Sequence, residues 1–274
     1  MSGGHSNMKL QVLVATMHQK GFDKVKEMNI HSDVLFANQT DYTSYEEEKF
    51  EFGIAKMVST ETRGVGINRN IGLLYADGDY LLFSDDDLKY VDGYDDIVKK
   101  AFEDIPDADA IMFNIYSSGV NTYRRSNKKI KRIRWHEALN YGAIRIAVKR
   151  KSIKRENVMF NLNFGGGALY SSGEDTMFVT DMMKKGLKLY AHPAYIATVN
   201  DDRSNSSWFK GYNAKFYYDK GVFFRSLSKR FTHLLCLQFI IRHKDYKTSN
   251  MRFNEAYSYM KKGIKGYKNL DTME

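Results

Sequence analysis

Two short acidic segments carry the residue types that can do chemistry. The first is Ser84-Asp85-Asp86-Asp87, directly after the apolar run Tyr80-Leu81-Leu82-Phe83. Four apolar residues in a row suit a strand buried on both faces. Three adjacent carboxylates at its tip repel one another unless solvent, a helix terminus or a cation relieves them. A divalent cation does so directly: Mg²⁺ is commonly held by one or two carboxylates together with a substrate's phosphates. The second segment is Ser172-Gly173-Glu174-Asp175, preceded by Gly165-Gly166-Gly167. It opens a helix with apolar positions Phe178, Val179, Met182 and Met183, and Gly186 ends it. Ser172 with Asp175 loosely fits a capping box, so capping is one reading of these acids and proton transfer the other. His192, before Pro193, reads as a turn residue, and Trp208 and Tyr212 as core aromatics or stacking platforms.

The elements that must position these segments follow from periodicity. Ile67, Ile71 and Leu74 recur at helical spacing, and Asp77-Gly78 breaks that helix before the strand of the acidic tip. Upstream, Leu10 to Ala15 and Asp33 to Ala37 read as strands around a helix from about Phe22 to Asn29. Strand, helix, strand with short joints predicts a parallel βαβ unit. Ligands of such sheets bind beyond the carboxyl ends of the strands, where Thr16, Asn38 and the Asp85 cluster fall together. Downstream, a helix is expected over Asp95 to Phe102 and strands over Ala108 to Ile115, Tyr141 to Val148, Leu187 to Tyr190 and Tyr195 to Val199. Helices are expected over Val222 to Ile241 and Phe253 to Tyr267.

Two nucleotide-binding patterns are excluded. Gly64-Val65-Gly66 is followed by Arg69 where a dinucleotide fingerprint needs its third glycine, and no P-loop pattern occurs. Bound phosphates would then fall to metal and cations, with Arg63 and Arg69 the nearest candidates. Either Arg also reads as an ordinary surface residue.

At 274 residues the chain makes one large domain, or one domain with an appendage. Cys236 is the single cysteine, so no internal disulfide forms. The start, MSGGHSN, is polar and reads as a tag or leader over residues 1–7, with no signal-type apolar region. The longest apolar run, Leu234 to Ile241, is far short of the roughly 20 residues that span a bilayer. The expectation is a cytoplasmic protein, soluble or peripheral on the inner face of the membrane. From Arg225 to Lys268 eleven Lys and Arg stand against Asp245 and Glu255, so this segment carries the chain's whole net charge of +9. Phe231, Leu234, Leu235, Phe239 and Ile241 lie among those cations, an amphipathic pattern suited to an anionic membrane or to packing on the main domain. A second basic run, Arg124 to Arg134, is a solvated loop or an electrostatic funnel for an anionic substrate.

The ordered set Gly66, Arg69-Asn70, Gly72, Ala76, Gly78-Asp79-Tyr80 and Asp85-Asp86-Asp87 resembles the nucleotide-sugar half of family 2 glycosyltransferases, similar to bacterial polysaccharide-assembly members. The resemblance runs from about Leu10 to about Trp208. It implies a GT-A α/β fold with a mainly parallel central sheet flanked by helices, here over residues 8–220, followed by a basic helical appendage over 221–274. It implies transfer of a sugar from a nucleoside diphosphate, UDP by expectation, to a hydroxyl of a glycan or lipid-linked glycan, with inversion. On this resemblance Asp85 and Asp87 hold Mn²⁺ or Mg²⁺ with Asp86 in support, His192 is a further metal ligand, and Asp175 is the catalytic base. Many members carry an acidic pair where Ala37-Asn38 stands here; Asn38 offers one acceptor and two donors to a pyrimidine edge instead. Thr16, Arg63 and Arg69 complete the expected donor contacts. Two rivals remain: a metal-dependent phosphoryl or nucleotidyl transferase whose basic tail meets nucleic acid, and a non-catalytic carbohydrate- or membrane-binding protein. The resemblance speaks against nucleic acid.

Overall fold

The computed structural model describes residues 8–117, 126–199 and 211–267. Its centre is a ten-stranded mixed sheet among the described residues. β1 (Leu10–Met17), β2 (Asp33–Gln39), β4 (Gly53–Thr60) and β5 (Tyr80–Asp85) run parallel in the order β4-β2-β1-β5. β3 (Ser44–Phe50) pairs antiparallel on the outer edge of β4. Beyond β5 the order continues β9 (Ile146–Lys149), β7 (Ala110–Ser117), β10 (Leu189–Val199) and β6 (Leu88–Tyr90), with the two-residue β8 (Lys131–Arg132) on β10. The expected parallel sheet therefore describes the half built from β4, β2, β1 and β5. In the other half β9 runs antiparallel to both of its neighbours.

Period-two alternation divides the strand residues between two cores. Val12, Val14, Val34, Phe36 and Leu82 face α1 (Asp23–Glu27) and α3 (Tyr94–Asp104). Leu13, Leu35, Ala37, Leu81 and Phe83 face α2 (Val65–Tyr75), α4 (Arg150–Arg155) and α5 (Glu174–Lys184). Phe160 and Phe178 stack at 4.1 Å, and Phe83 meets both edge-on. That aromatic trio is the floor beneath the starts of α2 and α5.

Helix α2 corrects the expected apolar face. Leu74 is 68% exposed, and the buried side is Gly66, Asn68, Arg69, Asn70, Gly72 and Leu73. Its polar residues are buried because each has a fixed partner. The Asn68 amide donates to the carbonyls of Thr16 (3.2 Å) and Ala37 (2.8 Å). Asn70 pairs with both the N–H and the C=O of Phe160. Thus α2 is stitched to the strand ends and to the segment leading to α5.

A third core belongs to the C-terminal helices α6 (Ala214–Leu227), α7 (Thr232–His243) and α8 (Phe253–Gly266), and encloses Cys236. The long helix expected from Val222 is two helices, and α6 starts eight residues earlier. α6 also crosses position 220, so the expected domain boundary falls inside a helix. α6 and α8 touch backbone to backbone: a Cβ on Gly221 would overlap the Met260 carbonyl, and one on Gly263 the Tyr218 carbonyl. No helix among the described residues is long and apolar enough to cross a membrane.

Candidate active site

The parallel register sets the strand ends side by side: Ala15 is opposite Asp85, and Thr16 is opposite Asn38. Over these ends opens a cleft of about 950 Å³, bounded by the start of α2, the glycine segment 165–167, the start of α5 and the start of α6. Thr16, Arg63, Arg69, Asp85, Asp86 and Asp175 all line it.

Arg69 ties the two acidic segments together. Its guanidinium reaches Asp175 Oδ1 at 2.6 Å, Asp85 Oδ1 at 3.0 Å and Glu174 Oε1 at 3.4 Å, and it lies 5.4 Å over the Phe160 ring. Its side chain is only 5% exposed, against 41% for Asp85 and 27% for Asp175. Burial disfavours the Arg69 charge, but the carboxylates of Asp175, Asp85 and Glu174 outweigh it and hold the guanidinium firmly protonated. One cation faces three acids, and the surplus falls on Glu174. Burial first, and then the charge of Asp175, push its carboxyl up to about 7, with Arg69 opposing.

The capping reading of Asp175 does not hold. Gly173 occupies the N-cap of α5, with no side-chain capping bond. Ser172 Oγ instead accepts from Lys220 Nζ at 3.0 Å. Asp175 Oδ2 accepts from the Ala143 N–H at 3.0 Å, so both carboxylate oxygens are oriented from outside their own helix. This contact also explains why only Ile146–Lys149 of the expected 141–148 strand joins the sheet. Tyr141 to Arg145 pass close to Asp175 and spend a backbone donor on it.

At the acidic tip, Thr16 Oγ1 donates to Asp86 Oδ2 at 2.6 Å, and Asp87 is exposed just beyond. Arg63 sits exposed at the rim, donating to the carbonyls of Thr40 and Thr62.

Besides Asp87, two expected site residues, Asn38 and His192, are outside the cleft lining. Asn38 is fully buried: its carbonyl accepts from the Gln19 N–H, and its amide donates to the Gln19 carbonyl and Ser59 Oγ. Its neighbour Gln39 lines the cleft in its place. His192 sits at the bulge of β10, its ring 5.3 Å from Phe113 and its Nδ1 accepting from the Ala194 N–H. Partial burial lowers its pKa, and it stands outside the cleft lining rather than beside the acids.

Gly165 meets the protein itself: a Cβ there would press on Val65 and the Glu174 carboxyl. Tyr212 packs edge-on against Phe216, while Trp208, Arg124, Arg125 and Lys268 lie outside the described residues. Lys128, Lys129, Arg132 and Arg134 are exposed away from the cleft lining, and Lys131 pairs with Glu137. The sequence reading missed Asn68, Gln39, Arg145 and Lys215, which line the cleft, and Lys220 behind it. Asn68 had a signal: three consecutive polar residues, Asn68-Arg69-Asn70, interrupt an otherwise apolar helix.

The sequence pattern of Glycosyl transferase family 2 matches residues 30–165. The chain belongs to glycosyl transferase family 2. The match includes Arg69 and Asp85–Asp87 and ends before Glu174 and Asp175. Solved structures with a similar fold include S. aureus TarS 1-349 in complex with UDP-GlcNAc, at 14% identity and a TM-score of 0.64, covering 95% of this chain and 82% of that one. TarS 1-349 in complex with UDP gives a TM-score of 0.60 at 14% identity over 94% and 81%. A longer TarS chain gives 0.58 at 15% identity, over 90% of this chain and 45% of that one. A comparison with curated protein sequences finds no match. The glycosyltransferase holds its two acidic segments, some 90 residues apart in sequence, on a single guanidinium within a GT-A fold.

Proposed function

We propose that this glycosyltransferase moves a sugar from a nucleoside diphosphate sugar, with UDP as the nucleotide, to a hydroxyl of a glycan or lipid-linked glycan, with inversion. The observation that carries the reading is the meeting of Asp85 and Asp175 on Arg69 in one cleft at the carboxyl ends of the parallel strands. The TarS complexes with UDP-GlcNAc and UDP support the choice of nucleotide.

Asp175 acts as base. Its carboxylate takes the proton of the acceptor hydroxyl while that oxygen bonds to the anomeric carbon. The bond from that carbon to the diphosphate breaks, and its electron pair leaves with the diphosphate oxygen. Arg69 and the Ala143 N–H fix the carboxylate's orientation, and each of its oxygens keeps a lone pair for the proton. Arg63 at the rim faces the donor's phosphates.

Asp85 and Asp87, with Asp86 braced by Thr16, offer hard oxygen donors that fit Mg²⁺ or Mn²⁺ held jointly with the diphosphate. His192, packed on Phe113, leaves this an all-oxygen set. Such an ion, when bound, offsets the charge that builds on the departing diphosphate. A second reading of the base rests on Glu174, which lines the same cleft and shares Arg69. Glu174, with a carboxyl near 7, is poised for proton transfer at neutral pH, although its side chain is only 14% exposed.

Titration calorimetry with UDP tests the donor assignment. UDP is expected to bind at least about tenfold more weakly in EDTA, and Asp85→Ala or Asp87→Ala should reproduce that loss in excess Mn²⁺. Equal affinity with and without EDTA would remove the acidic tip from donor binding.

A further inference from the structure

The start of α5 leans on α6 as well as on α2. Asp219 Oδ2 accepts from the Ser171 N–H at 3.0 Å, and Lys215 bridges the Leu169 carbonyl (3.0 Å) and Asp219 (2.8 Å). Gly173, at φ 126°, lies flat against Phe223, and a Cβ there would overlap the ring. Five residues along α6 from Lys215, Lys220 also reaches this junction. Its ammonium sits 5.4, 5.5 and 5.6 Å from the ring centroids of Phe216, Phe223 and Phe239, and Nζ donates to Ser172 Oγ. Three aromatic faces around one ammonium stabilise a cation that has left water.

The charges around that ammonium decide what it does. Asp219, on its own helix, is already spent on Lys215 and the Ser171 N–H. From α7, His243 lies tilted against Phe239 at 4.7 Å, and desolvation, with Arg242 and Lys220 nearby, lowers its pKa, which favours the neutral ring. From α5, Glu174 follows two residues after the Ser172 that Lys220 holds, and its charge favours the ammonium. Arg69 therefore answers the acid pair from the α2 side, and Lys220 answers it from the α6 side.

We propose that Lys220 is a positioning residue for the acid pair: caged by Phe216, Phe223 and Phe239 and anchored on Ser172, it sets the charge of Glu174 and holds the turn that presents Asp175. The C-terminal helices are then part of the catalytic site. Burial lowers the Lys220 ammonium to about 8, with Glu174 and Asp219 opposing, so it is charged at neutral pH. The proposal rests on the reading of Glu174 and Asp175 as the reacting acids, and its test is chosen to stand apart from that reading.

The test is carboxyl NMR on full-length protein carrying ¹³C-labelled glutamate, with the Glu174 signal assigned by its loss in Glu174→Gln. An opposing charge within about 4–6 Å lowers a carboxyl by about one pH unit or more, and its removal raises it again. The Glu174 midpoint should therefore rise by about one unit in Lys220→Met and return close to wild type in Lys220→Arg. Lys220→Gln replaces Lys220→Met if the latter does not fold. In parallel, the acid limb of kcat/KM for UDP-sugar hydrolysis should move with the NMR midpoint. A residue that only held the fold would lower activity equally at every pH and leave the midpoint in place. An unmoved Glu174 midpoint in a folded neutral variant overturns the proposal. A wild type without UDP-sugar turnover overturns the proposed function instead, and the NMR midpoints still decide the role of Lys220.

Discussion

Arg69 sets the energetics of its neighbours because it is one buried cation among three carboxylates. Glu174 bears the consequence, and its stability effect has a definite sign. A carboxyl raised from the usual 4.5 to about 7 favours folding most when protonated. That contribution is complete below about pH 4 and is lost as pH rises through about 7. Glu174→Gln keeps a neutral side chain at every pH. Relative to wild type, this variant should gain about 2–3 kcal/mol between pH 5 and 8. Urea unfolding across that range measures it, and parallel curves for the two proteins would contradict the charge surplus. Asn70 makes a second prediction. Asn70→Ala leaves the buried N–H and C=O of Phe160 without partners, so a loss of about 2–4 kcal/mol is expected. A loss under about 1 kcal/mol would show that Asn70 does not lock this segment to α2.

The elements were legible in the sequence where burial alone shaped them. β1, β2, β5 and β7 are apolar runs buried on both faces, and their reading survives with ends shifted by two residues or fewer. β3 was invisible because SYEEEKF lies on the sheet edge with five successive exposed residues, so no core imprints a period on it. α2 was found, but its buried face was misassigned, because hydrogen bonds rather than apolar contact fix that side. The α6–α8 contact was hidden for a related reason: what brings the helices together is the absence of side chains at Gly221 and Gly263. Gly263→Ala forces α8 away from the Tyr218 carbonyl. Overpacking of this kind costs about 1–3 kcal/mol, and the melting temperature of the full chain reports it. An unchanged melting temperature would mean that the helices separate without cost.

On the scale of the whole molecule, the topological expectation of one site at the carboxyl strand ends brings Thr16 and Asp85 to the cleft but not Asn38, and Asp175, which that argument did not include, joins them there. Asn38 has the right residue type but is buried, and His192 has it but packs on Phe113 outside the cleft, properties of packing that one sequence does not display. The basic C-terminal segment also gains definition. α7 buries Cys236 and Ile240 against α6 and α8 and leaves Phe231, Leu234 and Ile241 more than half exposed beside Lys229, Arg230, Arg242 and Lys244. An apolar stripe flanked by cations suits the surface of an anionic bilayer. The protein should co-sediment with phosphatidylglycerol vesicles at low salt and release as the Debye length falls from about 10 Å toward 3 Å. Leu234→Glu with Ile241→Glu should abolish binding and leave UDP affinity intact. Indifference of the wild type to such vesicles would make the stripe a surface for another partner.

Asp175 carries the central claim, because in the proposed reaction it takes the proton of the acceptor hydroxyl. Asp175→Asn keeps the side chain's size and its oxygen toward Arg69 but removes the base. The measurement is single-turnover transfer from a UDP-sugar, made alongside UDP-sugar affinity and melting temperature. The expected result is a rate lower by about 10²- to 10⁴-fold with affinity and folding retained. Full activity in a folded Asp175→Asn protein would contradict the account and pass the proton to Glu174.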